Sequence, residues 1–71
     1  MKRIPVNSSA IVSIGYDVSK ELLEVEFVDH GGIYQYYDVV KAEYEELMRA
    51  GSIGAYFNQY IKFQHEEYKV D

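Results

Sequence analysis

The apolar positions follow two rhythms, one in each half of the chain. In "SSAIVSIGYD" (8–17), Val12, Ile14 and Tyr16 fall on one face at a spacing of two, opposite Ile11, Ser13 and Gly15. After the polar turn "DVSKE", the stretch "LLEVEFV" (22–28) shows the sharpest alternation. Leu23, Val25 and Phe27 point one way, and Glu24 and Glu26 point the other, toward water on an open sheet face. "DHGG" (29–32) reads as a tight reversal whose two glycines supply positive φ angles. A third strand follows over Ile33–Val39, giving an antiparallel meander.

The spacing changes at "KAEYEELMRA". Tyr44, Leu47 and Met48 stand at i, i+3 and i+4, while Glu43, Glu45, Glu46 and Arg49 take the wet side of a helix. Gly51 is placed to end this helix and Ser52 to cap the next. In that second helix, "SIGAYFNQYIKF", the apolar stripe is Ile53, Tyr56, Phe57, Tyr60 and Ile61. Gly54 sits in its first turn, where close approach to another backbone would justify a residue of poor helix propensity. The tail "QHEEYKVD" is polar and predicts no element. The expected fold is therefore α+β: a three-stranded antiparallel β-meander followed by two α-helices packed on one face, β-β-β-α-α. The face bearing Leu23, Val25 and Phe27 lies under the helices and the glutamate face is bare.

Size makes this one domain, residues 1–71 with a core over 6–68. There is no cysteine, so no disulfide or thiolate metal site supports the fold, and burial of apolar surface must do so. Eight Tyr and three Phe make that burial feasible, since each ring covers a large area. Twelve acidic against seven basic side chains leave a formal charge of −5. Lys2, Arg3, Lys20, Lys41, Arg49, Lys62 and Lys69 are scattered, which is a poor footprint for a polyanion or an anionic membrane. No apolar stretch is long enough to span a bilayer, and "MKRIPVN" has no signal-peptide core, so the expected location is the cytoplasm.

Four motifs in order carry a family resemblance. They are V-x-S-S-x-I-x-x-I-G-Y-D (Val6–Asp17), L-x-V-x-F (Leu23–Phe27), Y-x-Y (Tyr34, Tyr36), and A-G-S-I-G-A-Y-F-N-Q-Y-I (Ala50–Ile61). Together they resemble the KTSC domain, named for its occurrence at the C-terminus of some lysyl-tRNA synthetases and found also as free-standing small proteins. The resemblance covers about Val6 to Tyr68. Through that synthetase association it implies RNA or tRNA binding. Where similar sequences often carry Pro at the start of the first helix, this chain has Val40.

The candidate binding surface is Tyr16, Tyr34, Tyr36, Arg49, Asn58 and Lys62. Tyr34 and Tyr36 share a strand face, with Ile33, Gln35, Tyr37 and Val39 opposite. Rings on a sheet can stack on bases, and rings on a sheet can equally fill a core. Ser8, Ser9 and Asn58 form a second polar set, whose ordinary role is bonding nearby backbone. His30 and His65 lie far apart in sequence and have no partner ligands at metal spacing, so neither a metal nor a cofactor is expected. No Ser and His stand in a catalytic arrangement, and a domain this small rarely hollows out a pocket, so an enzyme is not expected.

Two functions remain. One is a protein-interaction module, self-associating or binding a protein partner, through exposed Tyr and the free edge of the third strand. The other is an RNA-binding accessory domain, using the rings with Arg49, Lys41 and Lys62. Glutamates on the open face favour the first.

Overall fold

A computed structural model describes residues 1–71, all of them placed. Its elements are β1 (Ile4–Pro5), β2 (Ile11–Asp17), β3 (Leu22–Phe27), β4 (Gly32–Tyr36), α1 (Lys41–Arg49), α2 (Ile53–Tyr56) continuing into a π-helical turn (Phe57–Ile61), and β5 (Glu67–Lys69). The class is α+β as the pattern predicts, but the sheet has five antiparallel strands in the order β1-β2-β3-β4-β5. The two extra strands are two and three residues long, too short for alternation to announce them. β5 covers the flank of β4, so the third strand of the meander is not the free edge.

The helices sit over one face of the sheet, and the core lies between the layers. Ile11, Ile14, Leu23, Val25, Tyr36, Val39, Leu47, Phe57 and Ile61 form one buried cluster. Two sequence expectations fail at local breaks. The β2–β3 register shifts between Ile11 and Ser13, a bulge that swings Ile11 into the core and leaves Val12 exposed. The third strand does not run to Val39: it stops at Tyr36, and Asp38 adopts a left-handed φ of 61° that turns Val39 inward.

Turn chemistry departs from the pattern too. In the β3–β4 reversal the positive φ angles belong to Asp29, His30 and Gly32, and not to both glycines. Asp and Asn-like side chains tolerate that region better than most. At the start of α1, Val40 takes φ −71° without a proline ring, so the helix opens normally. The same helix ends when Ala50 becomes extended; Gly51 takes no left-handed turn. Ser52 does cap α2, its Oγ accepting from the Ala55 N–H at 3.2 Å. Gly54 approaches the Ser8 and Ala10 side chains, not a backbone, at ordinary contact distances.

The π turn explains one more exposure. Lys62 N–H donates to the Phe57 carbonyl five residues back. A wider turn advances fewer degrees per residue, so Phe57 and Ile61 both stay in the core while Tyr60 swings outward. The stripe predicted from α-helical spacing thus loses its fourth member. No helix is long and apolar enough to cross a membrane.

Candidate interaction surface

Cross-strand register decides which way the rings point. Tyr36 pairs with Leu23 and Tyr34 with Val25, so both lie on the helix-facing side of the sheet. Tyr36 is 1% exposed and meets Phe57 edge-on, with centroids 5.1 Å apart. Its hydroxyl donates to Glu67 Oε1 at 2.6 Å. Burial, reinforced by that bond and by the Glu67 charge, pushes the Tyr36 phenol far above its usual range. Tyr34 packs against the core and edge-on to Phe27. Tyr36 is sealed in the core and Tyr34 is half-buried against Phe27 on the helix side, so the pair does not form a platform on the open sheet face.

The other sequence candidates are also engaged. Tyr16 lies flat against Tyr44, centroids 4.4 Å apart and planes 7° from parallel, and its hydroxyl donates to the Val39 carbonyl. That stack ties the sheet to α1. Arg49 pairs with Glu46 at 3.2 Å along α1. Lys62 lies over the Phe63 ring, 5.4 Å from its centroid. Asn58 is exposed beside Ser8, Ser9, Ser52 and Gly54, lining a polar groove of about 440 Å³. There the Ser8 hydroxyl accepts from the Ala10 and Ile11 N–H groups, which spends it on the turn before β2. The structure therefore brings Asn58 to Ser8 and Ser9, while the rings and the two cations are occupied elsewhere.

His65 is held in place by two contacts, Nε2 with Glu43 Oε1 at 2.6 Å and Nδ1 with the Tyr37 carbonyl at 2.9 Å. His30 is in the exposed β3–β4 turn. No three His, Asp or Glu side chains gather as ligands.

The face away from the helices is not bare. Met1–Arg3 run across it close over Gly15, and Glu24 is only 6% exposed. Arg3 donates to Glu24 Oε2 at 2.5 Å and to Ser13 Oγ at 3.0 Å. Ser13 passes a bond on to Glu26 Oε1, and Gln35 Nε2 donates to Glu24 Oε1 at 2.9 Å. Burial alone would raise the Glu24 pKa, but the bonds from Gln35 and Arg3 with the Arg3 charge outweigh it and hold the carboxyl below its usual range. The expectation that both glutamates face water thus fails at Glu24. Alternation assigns the face correctly, but it does not show that a preceding segment folds back over that face.

Besides Glu26, this face exposes aromatic rings at its β4–β5 end. Gln35 pairs with Tyr68, placing Tyr68 on the side opposite Tyr34 and Tyr36. Tyr68 is 51% exposed and meets the half-exposed Tyr37 edge-on at 5.2 Å. Ile33 and Val70 continue the stripe, joined by the Val70 N–H donating to the Ile33 carbonyl at 2.8 Å. Sequence reading places Tyr37 on this face but does not select it, and misses Tyr68 altogether. The one available signal is "YKV", an apolar–polar–apolar triplet in a tail otherwise polar.

A family model described as KTSC domain matches residues 7–65. An uncharacterized protein of Stutzerimonas stutzeri is 43% identical over 68 residues, covering 96% of this chain and 94% of the relative. A protein of Tsukamurella paurometabola is 38% identical over 58 residues, covering 82% and 85%. The crystal structure of a KTSC domain protein from Yersinia pestis superposes with a TM-score of 0.94 at 38% identity, covering 99% of this chain and 97% of that one.

Proposed function

The chain belongs to the KTSC domain family, and from that premise we propose that it is a non-enzymatic binding module for protein, engaged through the exposed β4–β5 end of its open sheet face. One observation carries the reading: Ile33, Tyr37, Tyr68 and Val70 share that face beside a strand with a free flank, whereas the rings of the Y-x-Y motif point to the helix side. Tyr is enriched at protein interfaces because a stiff, amphipathic ring contributes large contact area at little entropic cost. An edge strand adds backbone donors and acceptors to that area. The alternative, an RNA-binding accessory, has less support. Its rings are packed against other rings on the helix side of the sheet, Arg3 is paired with Glu24, and Arg49 is paired with Glu46.

Photocrosslinking tests this. With p-benzoylphenylalanine in place of Tyr68, irradiation in cells is expected to give protein adducts. The same group in place of Glu45, exposed on α1, is expected to give none. Absence of protein adducts at position 68, or adducts there that ribonuclease removes, would overturn the reading.

A further inference from the structure

The sheet has two flanks, and they are not equivalent. β1 ends on Pro5, which has no N–H to offer, and proline on an edge blocks strand addition. β5 carries no such block. On its inner side, Glu66 O accepts from Tyr37 N–H and Val70 N–H donates to Ile33 O. In an antiparallel ladder, residues that bond inward alternate with residues that bond outward. Residues 66, 68 and 70 are therefore turned toward β4, and the backbone N–H and C=O groups of Glu67 and Lys69 are directed at solvent.

Those two outward residues carry opposite charges, and this selects an occupant. We propose that β5 pairs antiparallel with β5 of a second copy of this chain, about a two-fold axis at Tyr68, joining two five-stranded sheets into one of ten strands. Three antiparallel registers bring outward-facing groups together. Placing Glu67 opposite Glu67, or Lys69 opposite Lys69, sets like charges across a rung. The third places Glu67 opposite Lys69 of the second copy twice over, with Tyr68 against Tyr68 between them. Directly opposed opposite charges stabilise a sheet and like charges destabilise it. This register also uses both outward-facing residues of each strand. From Glu66 to Val70 it brings no like charges face to face.

Lys69 makes no ion pair within its own chain, and neither does Glu67, whose Oε1 accepts from the Tyr36 hydroxyl at 2.6 Å, a neutral donor that leaves the carboxylate charge unpaired. A lysine on an edge usually deters association. Here the glutamate two residues earlier turns that deterrent into a self-complementary pattern. On the open face the paired Tyr68 rings, each backed by Tyr37, extend the contact beyond the backbone.

The proposal rests on the reading of this surface as protein-binding and names a second copy as its partner. It is tested by sedimentation equilibrium of the full chain from ~10 µM to ~1 mM, a range suited to an interface smaller than ~1,200 Å². The wild type is expected to pass from monomer to dimer. E67K and K69E are each expected to weaken self-association by on the order of tenfold or more. An equimolar mixture of the two variants is expected to associate as a heterodimer, because each rung between positions 67 and 69 then joins an ammonium to a carboxylate. The double variant E67K/K69E is expected to recover self-association; because E67K also removes the acceptor of the Tyr36 hydroxyl, the charge variants are compared with one another on a Tyr36→Phe background, and circular dichroism checks that each is folded. A wild type monomeric throughout, or single variants that dimerise as well as the wild type, would overturn the proposal. If Tyr68 still gave adducts with another protein, the broader reading would stand and only the self-pairing would fall. If position 68 gave no protein adduct, both would fall.

Discussion

Removing the Arg3 guanidinium should reveal how strongly the enclosed Glu24 depends on it. Glu24 has a side chain only 8% exposed and that of Arg3 is 27% exposed, so the pair is shielded from water on the carboxylate side and partly wet on the other. Removing one partner of a fully buried pair costs about 3–5 kcal/mol, most of it from the charge left behind. Here Gln35 still donates to the carboxylate and water can enter from the Arg3 side. The cost of Arg3→Leu at neutral pH should therefore fall lower, at about 2–3 kcal/mol. A domain of this size has about 4–10 kcal/mol in total, so the variant should lose a large fraction of its stability. In thermal unfolding the midpoint should drop by roughly 10–20 °C.

The pH dependence is the sharper test. In the wild type the Glu24 pKa is lowered on folding. Its contribution is therefore present above the unfolded glutamate value of about 4.3 and is lost as pH falls through the folded value. Without Arg3, burial dominates and the carboxyl protonates more readily, so the penalty should shrink as pH drops toward about 4. Arg3→Leu combined with Glu24→Gln should recover most of the loss at pH 7, since no charge is then stranded. Urea unfolding at pH 7 and pH 4 measures all of this. A cost below about 0.5 kcal/mol at pH 7, or one unchanged between the two pH values, would refute the reasoning.

Gly15→Ala should destabilise by about 1–3 kcal/mol in chemical unfolding, because the new Cβ would lie 2.7 Å from the Lys2 carbonyl oxygen; an unchanged midpoint would mean that Met1–Arg3 do not lie over the sheet. Gly54→Ala should do the opposite, gaining up to about 1 kcal/mol from helix propensity, since its nearest neighbours are side chains at 3.4 and 3.7 Å; a lower melting temperature would contradict this. The Tyr36 phenol is raised on folding, so its contribution is full below the ordinary tyrosine value of about 10 and is lost as pH rises above it. Tyr36→Phe should accordingly flatten the alkaline fall in stability, read by unfolding at pH 8 and pH 11.

Much of the architecture is legible because alternation and helical spacing are imposed by burial. Leu23 and Val25 face the helices, and Leu47, Phe57 and Ile61 face the sheet, as spacing requires. What escapes has particular physical causes. The bulge at Val12 exchanges the faces expected for Ile11 and Val12, and no sequence period encodes such an exchange. A π turn cannot be distinguished from an α turn by apolar spacing, so spacing alone assigns Tyr60 inward. The two outer strands are shorter than one period of alternation, and β5 forms only because the helices return the chain to β4. The candidate surface suffers most from this. Choosing between Tyr34 with Tyr36 and Tyr37 depends on knowing which face the helices cover, and Tyr68 is visible only once β5 exists.

The position of β5 at the far side of the helices bears on how the chain comes together. Strands β2 to β4 can zip through short hairpins, but β4 meets β5 only after about thirty intervening residues have been ordered, and such distant closures are entropically slow. In native-state hydrogen exchange the amides bridging these two strands should therefore open well before those of β3. Whenever β5 lifts away, the flank left uncovered is that of β4, whose sequence GIYQY is neutral and aromatic. β5 thus acts as a clasp that exchanges a border open to any strand for one whose charges select a single partner register, and a chain truncated before Glu67 is expected to clump.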